Sequence, residues 1–140
     1  MSASDLIKSF EGCKLTAYLD TVANPPVWTI GWGHTGKEVH EALVWTQGQA
    51  DEQLEHDILA ADLLLSAYSP GLAGGTLEAL TDFVFNLGIG NYRTSTLCKL
   101  VNAKDWGAAK LEILKWDHSN GKVVPDLLER RKAEAELIAA

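Results

Sequence analysis

Apolar residues recur at helical spacing through most of the chain. This spacing predicts five or six helices, over residues 4–10, 46–68, 76–87, 95–102, 105–116 and 125–138. Ser4 is the candidate N-cap of the first helix, and Gly12 follows its end as a candidate C-terminal stop. Thr46 and Gln49 have the spacing of a capping box at the start of the longest helix, and Pro125 suits the first turn of the last one. The chain is therefore expected to be mainly helical beyond its N-terminal third.

Two segments near the N-terminus alternate polar and apolar residues with a period of two. They are Lys14–Asp20 and Val27–Gly33, and the stretch between them contains Asn-Pro-Pro, a turn composition. The pattern predicts a hairpin with an apolar back, which includes both leucines of the first strand, and a polar front. Asp20 and Thr29 are expected opposite each other on that front, where glycines let a ligand approach the backbone closely.

Length and composition describe one ordinary globular domain. The chain has 140 residues, of which 46% are hydrophobic and 22% charged, so we expect a single domain over residues 1–140 with an α+β fold. The net charge of −7 argues against nucleic acid as a partner, because binding phosphates requires a basic surface. No apolar run is long enough for membrane insertion, and the first residues do not have the pattern of a secretory signal.

The cysteines and histidines point to no metal or cofactor chemistry. Cys13 and Cys98 are too few for a disulfide framework, and we expect two small buried hydrophobes, with one bridge as the alternative. The four histidines show no pair at the spacing of a zinc-binding helix. Phosphate-binding glycine loops and a serine nucleophile elbow are also missing from the sequence. We therefore expect no metal and no cofactor.

Three residues around the predicted hairpin could carry acid–base chemistry. Glu11 lies at the end of the first helix beside an apolar run, where desolvation would raise its pKa, whereas Asp20 at the hairpin rim would stay ionised. Cleavage of a glycosidic bond needs two such carboxyl groups, one to protonate the leaving oxygen and one to hold a water or attack directly. Thr29 adds a hydroxyl that could hold the same water. With 19 acidic residues in the chain, this spacing alone is a weak signal.

Longer motifs give the candidate residues a context. Glu11-Gly12 is followed by Leu15, Ala17-Tyr18, Asp20 and then Thr-Ile-Gly-Trp-Gly-His-Thr at 29–35. Further matches follow in order, namely Phe-Val-Phe-Asn-Leu-Gly at 83–88, Asn91 to Leu97, Asp-Trp-Gly-Ala-Ala at 105–109 with Trp116, Gly-Lys at 121–122, and Leu128 to Glu134. Together they span nearly the whole chain, and the chain resembles the phage lysozyme family, the muramidase endolysins.

The resemblance implies a lysozyme-like α+β fold. A small N-terminal lobe would hold the β-hairpin, a long helix would connect it to a larger helical lobe, and a sugar-binding cleft would lie between the lobes. It implies an enzyme, a glycoside hydrolase that cuts the β-1,4 bond between N-acetylmuramic acid and N-acetylglucosamine in peptidoglycan and so lyses the host cell. Glu11 would be the general acid, and Asp20 and Thr29 would hold the attacking water. The interval between Asp20 and Thr29 is longer than the loop common in the family.

Four other residues are candidates for supporting or substrate-binding roles. Tyr18 shares a strand face with Asp20 and is expected at the cleft wall, and His34 in a Gly-His-Thr turn is expected to support the site. Asn86 fits a buried structural amide as well as a sugar contact. The resemblance makes Arg130 a candidate partner for Glu11. The tryptophans are expected mostly in packing roles.

Other functions compatible with these residues remain open. A lytic transglycosylase of the same fold would make a 1,6-anhydro product and would not need a water-holding acid. A non-catalytic cell-wall-binding module would not need the Glu11–Asp20–Thr29 set, and a helical scaffold would leave the polar hairpin front unexplained. The expected partners are peptidoglycan glycan strands, and we expect a monomer. The expected location is the host cytoplasm until release, with action on the cell wall in the periplasm.

Overall fold

The computed structural model of the chain describes residues 1–119 and 121–139. The chain forms two compact units, one made of Ile7–Asp57 and the other of Met1–Leu6 together with the residues from Ile58 onward. The helices are α1 (Ala3–Phe10), α2 (Gln47–Tyr68), α3 (Gly74–Leu87), α4 (Ile89–Arg93), α5 (Thr96–Asn102), α6 (Trp106–Ile113) and α7 (Pro125–Leu137). The strands are β1 (Lys14–Asp20), β2 (Val27–Gly31), β3 (His34–Thr35), β4 (His118–Ser119) and β5 (Lys122–Val123). The predicted α+β class is confirmed.

The Ile7–Asp57 unit is built on an antiparallel sheet of β1, β2 and β3. Its first strand has the predicted bounds, and a bulge interrupts its pairing with β2 between Lys14 and Tyr18. In this interval β1 bonds on its other edge instead, since the Trp45 amide donates to the Leu15 carbonyl at 2.8 Å. The sheet therefore fixes the 43–45 segment as well as the hairpin.

Three details of the hairpin differ from the sequence prediction. Asp20 pairs with Val27, and Thr29 pairs with Tyr18, so Thr29 is not opposite Asp20 but diagonal to it on the same face. The second strand ends at Gly31, where φ is +66°, and the chain turns into the short strand β3, which the alternation did not predict. The two β1 leucines, at 15 and 19, are 37% and 43% exposed, so the apolar back of this strand is not buried.

The helical unit has a continuous apolar core contributed by helices α2 to α7. Phe83 lies within it and makes edge-to-face contacts with Tyr92 and Trp116, at centroid distances of 6.1 and 5.6 Å. On α3, Leu80, Phe83 and Val84 are buried in this core, and Leu87 is partly buried against it. Trp116 packs on this core from beyond the end of α6, which is shorter than predicted.

Several predicted helix ends are confirmed by their capping hydrogen bonds. The Thr46 amide donates to Gln49 Oε1 at 2.8 Å and the Gln49 amide donates to Thr46 Oγ1 at 3.1 Å, which completes the capping box. Asp105 caps α6, and Gly88 with φ of +87° ends α3. The first helix differs, because Ser2 rather than Ser4 caps it through reciprocal hydrogen bonds with Asp5. Gly12 also lacks the left-handed conformation of a C-terminal stop.

Short elements account for the other differences. Helix α4 and the β4–β5 hairpin were not predicted, since each is too short for a periodic pattern to appear in the sequence. The hairpin turn includes Gly121, where φ is +78°. Cys13 is half-buried, Cys98 is buried, and both are free thiols. No helix in the described part of the chain has both the length and the apolar character needed to cross a bilayer.

Candidate active site

Glu11 lies directly after α1, and its carboxyl group packs against a glycine. The Glu11 amide donates to the Ile7 carbonyl at 2.7 Å, which holds the residue to the last turn of the helix. A Cβ atom placed on Gly33 would lie 3.2 Å from the Glu11 carboxyl carbon, and Gly33 has φ of +78°. Only glycine gives both this backbone conformation and this space, so the β2–β3 turn is shaped around the Glu11 carboxyl group.

Asp20 ends β1 and organises the loop that follows it. Its Oδ1 accepts hydrogen bonds from the amides of Val22 at 3.0 Å and Ala23 at 3.4 Å. Such an Asx-type arrangement holds the start of the hairpin loop in a fixed shape. The carboxylate is thereby held at the end of the strand, two residues from Tyr18.

The charges of both candidate carboxylates act on the phenol of Tyr18. Its pKa is raised above the ordinary value, first by partial burial and then by the negative charges of Asp20 and Glu11, since ionising the phenol beside two anions is unfavourable. Both carboxylates therefore lie close enough to the phenol for their charges to act on it. Tyr18 is 39% exposed, which leaves the hydroxyl end accessible to a ligand.

Thr29 lies on the same sheet face but is more buried than a polar front suggests. It is 3% exposed, and its hydroxyl donates to the Val27 carbonyl at 3.2 Å. Residues diagonal to each other on an antiparallel pair are about 7–8 Å apart, which is the relation between Thr29 and Asp20. A hydroxyl that donates to a carbonyl still has lone pairs with which it can accept a hydrogen bond from a water.

His34 has a carboxylate on each ring nitrogen. Its Nδ1 is 2.7 Å from Asp57 Oδ2, and its Nε2 is 2.6 Å from Glu38 Oε1. The hydrogen bond with Asp57 is the largest cause of a raised pKa for His34, and the bond with Glu38 adds to it, while partial burial opposes both. The ring also contacts Trp45 in a tilted arrangement, at a centroid distance of 5.7 Å and an interplanar angle of 33°. His34 thus joins the β3 turn to α2, with each ring nitrogen within hydrogen-bond distance of a carboxylate.

Asn86 and Arg130 belong to the helical unit, each with a partner there. Arg130 is 3% exposed and donates through Nε and Nη2 to the two oxygens of Asp82, at 2.9 and 2.7 Å. Asn86 Oδ1 accepts from Arg131 Nη2 at 2.9 Å, which fits the structural role weighed for this amide. The pairing of Arg130 with Glu11 stays a prediction.

Buried charges around Asp82 were not predicted from the sequence. Arg131 and Glu134 are both fully buried, and Arg131 Nε lies 2.6 Å from Glu134 Oε1. The pKa of Glu134 is raised well above its ordinary value, first by burial and then by its hydrogen bond with Asp82, with Arg131 acting against both. The spacing of Arg131 and Glu134 on one helix face is the only sequence signal that could have suggested this pair.

The partners of His34 were also missed. Asp57 interrupts the inward stripe of α2 between Leu54 and Ile58, and an acidic residue at an inward position is the signal that could have found it. Glu38 and Trp45 lie in segments without a regular pattern, and no sequence signal indicates their contacts. Within residues 1–119 and 121–139, no three or more His, Cys, Asp or Glu side chains come together in a way that could hold a metal ion.

Comparisons with known proteins point to one family. The phage lysozyme family model matches residues 8–134. An endolysin of Acyrthosiphon pisum secondary endosymbiont phage 1 is 37% identical over 137 residues, which cover 94% of this chain and 91% of that protein. An endolysin of Bacillus phage B103 is 36% identical over 137 residues, or 95% of this chain. The chain spans about half the length of the curated Bacillus phage relatives, 51% for B103 and 52% for PZA.

Solved structures agree with the fold. The muramidase domain of SpmX from Asticaccaulis excentricus superposes with a TM-score of 0.86 and is 29% identical, with 99% of this chain and 95% of that chain covered. A variant of P22 lysozyme gives a TM-score of 0.78 at 28% identity, with 100% and 99% covered. The lysozyme-like fold is thereby confirmed, and the chain belongs to the phage lysozyme family.

Proposed function

We propose that this chain is an endolysin that hydrolyses the β-1,4 bond between N-acetylmuramic acid and N-acetylglucosamine in peptidoglycan. The observation that carries the proposal is the placement of two carboxyl groups in one unit, Glu11 packed against Gly33 after α1 and Asp20 held by loop amides at the end of β1. Two carboxyl groups held on different backbone elements are what glycosidic cleavage requires. Membership of the phage lysozyme family supports the same reaction class.

In this mechanism Glu11 is the general acid. Its proton passes to the glycosidic oxygen as the bond from that oxygen to the anomeric carbon breaks. Gly33 holds the carboxyl group in place because its backbone packs directly against it. General acid catalysis by a positioned side chain contributes about 10²–10⁴-fold to the rate.

Asp20 and Thr29 hold the attacking water. The water oxygen bonds to the anomeric carbon, and its proton is taken up by the Asp20 carboxylate. Asp20 uses Oδ1 for the loop amides, so Oδ2 is the oxygen assigned to the water. Direct attack by water inverts the anomeric configuration, and inverting enzymes keep their carboxyl groups about 6.5–9.5 Å apart to leave room for it.

Tyr18, His34, Asn86 and Arg130 have supporting roles in this proposal. Tyr18 supplies an accessible phenol beside both carboxylates for contact with sugar. His34 fixes the turn that contains Gly33 by bonding to Asp57 on α2. Arg130 is proposed to pair with Glu11, and Asn86 to hold Arg131 in place. The enzyme acts on the cell wall after release from the host cytoplasm.

Variants of the two carboxylates test the proposal on purified peptidoglycan. Glu11→Gln keeps the shape of the side chain and removes its proton, so clearing of a peptidoglycan suspension should fall at least about 100-fold. Asp20→Asn should also abolish hydrolysis, and Glu41→Gln, an exposed acid of the same unit, should leave it unchanged. Near-normal clearing by Glu11→Gln would contradict the assignment.

Mass spectrometry of the digest separates the proposal from its alternatives. Hydrolysis leaves reducing muramic acid ends, and the mass includes one added water for each cut. A lytic transglycosylase would leave 1,6-anhydro ends without added water. A wall-binding module without activity would leave the peptidoglycan uncut.

A further inference from the structure

A cavity lies in the Ile7–Asp57 unit, at the first half of α2. Its volume is about 250 Å³, and its lining consists of Trp45, Gln49, Glu52, Gln53 and His56. The four helical residues follow an i, i+3, i+4, i+7 spacing and therefore share one face of α2. None of the five belongs to the set proposed for bond cleavage.

Two glutamines of this cavity each use one polar atom of the side-chain amide in a hydrogen bond to another residue. Gln49 Oε1 accepts from the Thr46 amide in the capping box, and Gln49 Nε2 makes no hydrogen bond within the described part of the chain. Gln53 Nε2 donates to Asp57 Oδ1 at 2.9 Å, which leaves Gln53 Oε1 as an acceptor. The two glutamines thus offer one donor and one acceptor four residues apart on a rigid helix, beside Glu52 and His56, whose Oε1 and Nε2 atoms lie 3.9 Å apart.

Trp45 provides an aromatic wall that is already fixed in position. Its ring makes a tilted contact with His34, and its Cζ3 atom lies 3.0 Å from where a Cβ on Gly31 would be, so the indole packs directly on the β2 backbone. The Trp45 amide is hydrogen-bonded to the Leu15 carbonyl at 2.8 Å. A ligand therefore meets an ordered ring, and little conformational entropy is lost on binding.

A secondary amide beside an apolar surface is the chemistry that matches this lining. An acetamido group presents a carbonyl to Gln49 Nε2, an N–H to Gln53 Oε1 and a methyl group to the indole. Sugar rings also place C–H groups on aromatic faces. The interaction needs no positive charge on the protein, which suits a chain with a net charge of −7.

We propose that this cavity, the α2 pocket, binds an N-acetylated amino sugar of a glycan strand at a position separate from Glu11 and Asp20. The inference rests on the proposed function for the identity of the polymer. It adds a second point of attachment on the same chain, so that a long strand gains affinity from both sites whereas a disaccharide occupies one at a time.

Nuclear magnetic resonance of the Glu11→Gln protein tests the pocket without cleavage. Titration with N,N′-diacetylchitobiose should shift the Trp45 indole N–H and the side-chain amides of Gln49 and Gln53 in a saturable way. Gln53→Met removes the acceptor and keeps an unbranched side chain of similar length. It should weaken this binding about 3- to 10-fold. Glu55→Gln, an exposed neighbour outside the lining, is the matched control and should bind as the parent does.

Three results would overturn the inference. These are no shift at the α2 pocket with the disaccharide, unchanged pocket binding by Gln53→Met, or pocket shifts with a free stem peptide in place of the sugar. Because Gln53→Met could disturb Asp57, its folding is checked by its melting temperature, and Glu52→Trp, which fills the pocket mouth, must also abolish the shifts. Pocket binding together with failure of the parent protein to cut peptidoglycan would contradict only the proposed function. Hydrolysis without pocket binding would contradict only this inference.

Discussion

The ion pair of His34 with Asp57 predicts a stability difference that depends on pH. Both His34 nitrogens contact carboxylates, and neutral imidazole has only one N–H, so loss of the second proton breaks one of the two hydrogen bonds. The folded-state pKa of His34 is raised. Its contribution to stability is therefore fully present below the unfolded pKa of about 6.5 and is lost as the pH rises through the folded pKa.

Asp57→Asn removes the charge and keeps the shape of the side chain. A hydrogen bond to a charged group contributes about 1.5–3 kcal/mol, and we take the lower end because the His34 and Asp57 side chains are 13% and 23% exposed. The loss of about 1.5 kcal/mol at pH 5.5 corresponds to a melting temperature lower by about 5 °C in a chain of this length. As the pH rises to 9 and His34 gives up its second proton, the difference should shrink to about 0.5 kcal/mol.

Thermal unfolding followed by circular dichroism at both pH values measures the effect. Glu38→Gln is the matched control, because Glu38 contacts the other nitrogen of His34 but is 61% exposed and should cost less. Equal destabilisation by Asp57→Asn at pH 5.5 and pH 9 would refute the assignment of a charged His34. A larger loss of stability at pH 9 than at pH 5.5 would refute the predicted direction of the pH dependence.

Further predictions concern the site and its buried supports. Asp82→Ala removes the carboxylate that holds Arg130 in the helical unit and should destabilise the protein by about 3 kcal/mol, measured by urea denaturation; a loss under 1 kcal/mol would contradict the role of this pair. Gly33→Ala should cost about 1–2 kcal/mol for its backbone conformation and should reduce hydrolysis further by displacing the Glu11 carboxyl group; full activity in a folded protein would argue against that contact. Glu11→Gln should lower the pKa of Tyr18, measured by ultraviolet titration of its phenol, and an unchanged pKa would show that Glu11 does not act on it.

The sequence predicts those parts of the fold that have local causes. Strand β1 has the predicted bounds because its alternation is regular, and the capping box of Thr46 and Gln49 defines the start of α2 by contacts three residues apart. Register is less local. The hairpin loop joins strands that pair Asp20 with Val27, which displaces Thr29 from Asp20. The bulge lies farther along β1, between Lys14 and Tyr18, and β1 alternation contains no sign of it because the compensating pairing is with the distant 43–45 segment.

The two candidate acidic residues could be predicted from the sequence, but the residues that hold the surrounding side chains in place could not. Motif spacing picks out Glu11 and Asp20, whereas the partner of His34 lies 23 residues away on another element and depends on packing. The burial of Arg131 and Glu134 likewise depends on packing. Charged residues on a terminal helix are ordinarily read as a solvated face, and only the packed structure shows that this pair is fully enclosed.

The configuration of the first product tests the central claim most directly. A defined peptidoglycan oligosaccharide is cut, and proton magnetic resonance of the fresh product follows its anomeric signal before mutarotation. Direct attack by a water held at Asp20 predicts the α-anomer first. An initial β-anomer, a glycosyl ester trapped on Asp20, or a 1,6-anhydro product would each contradict it.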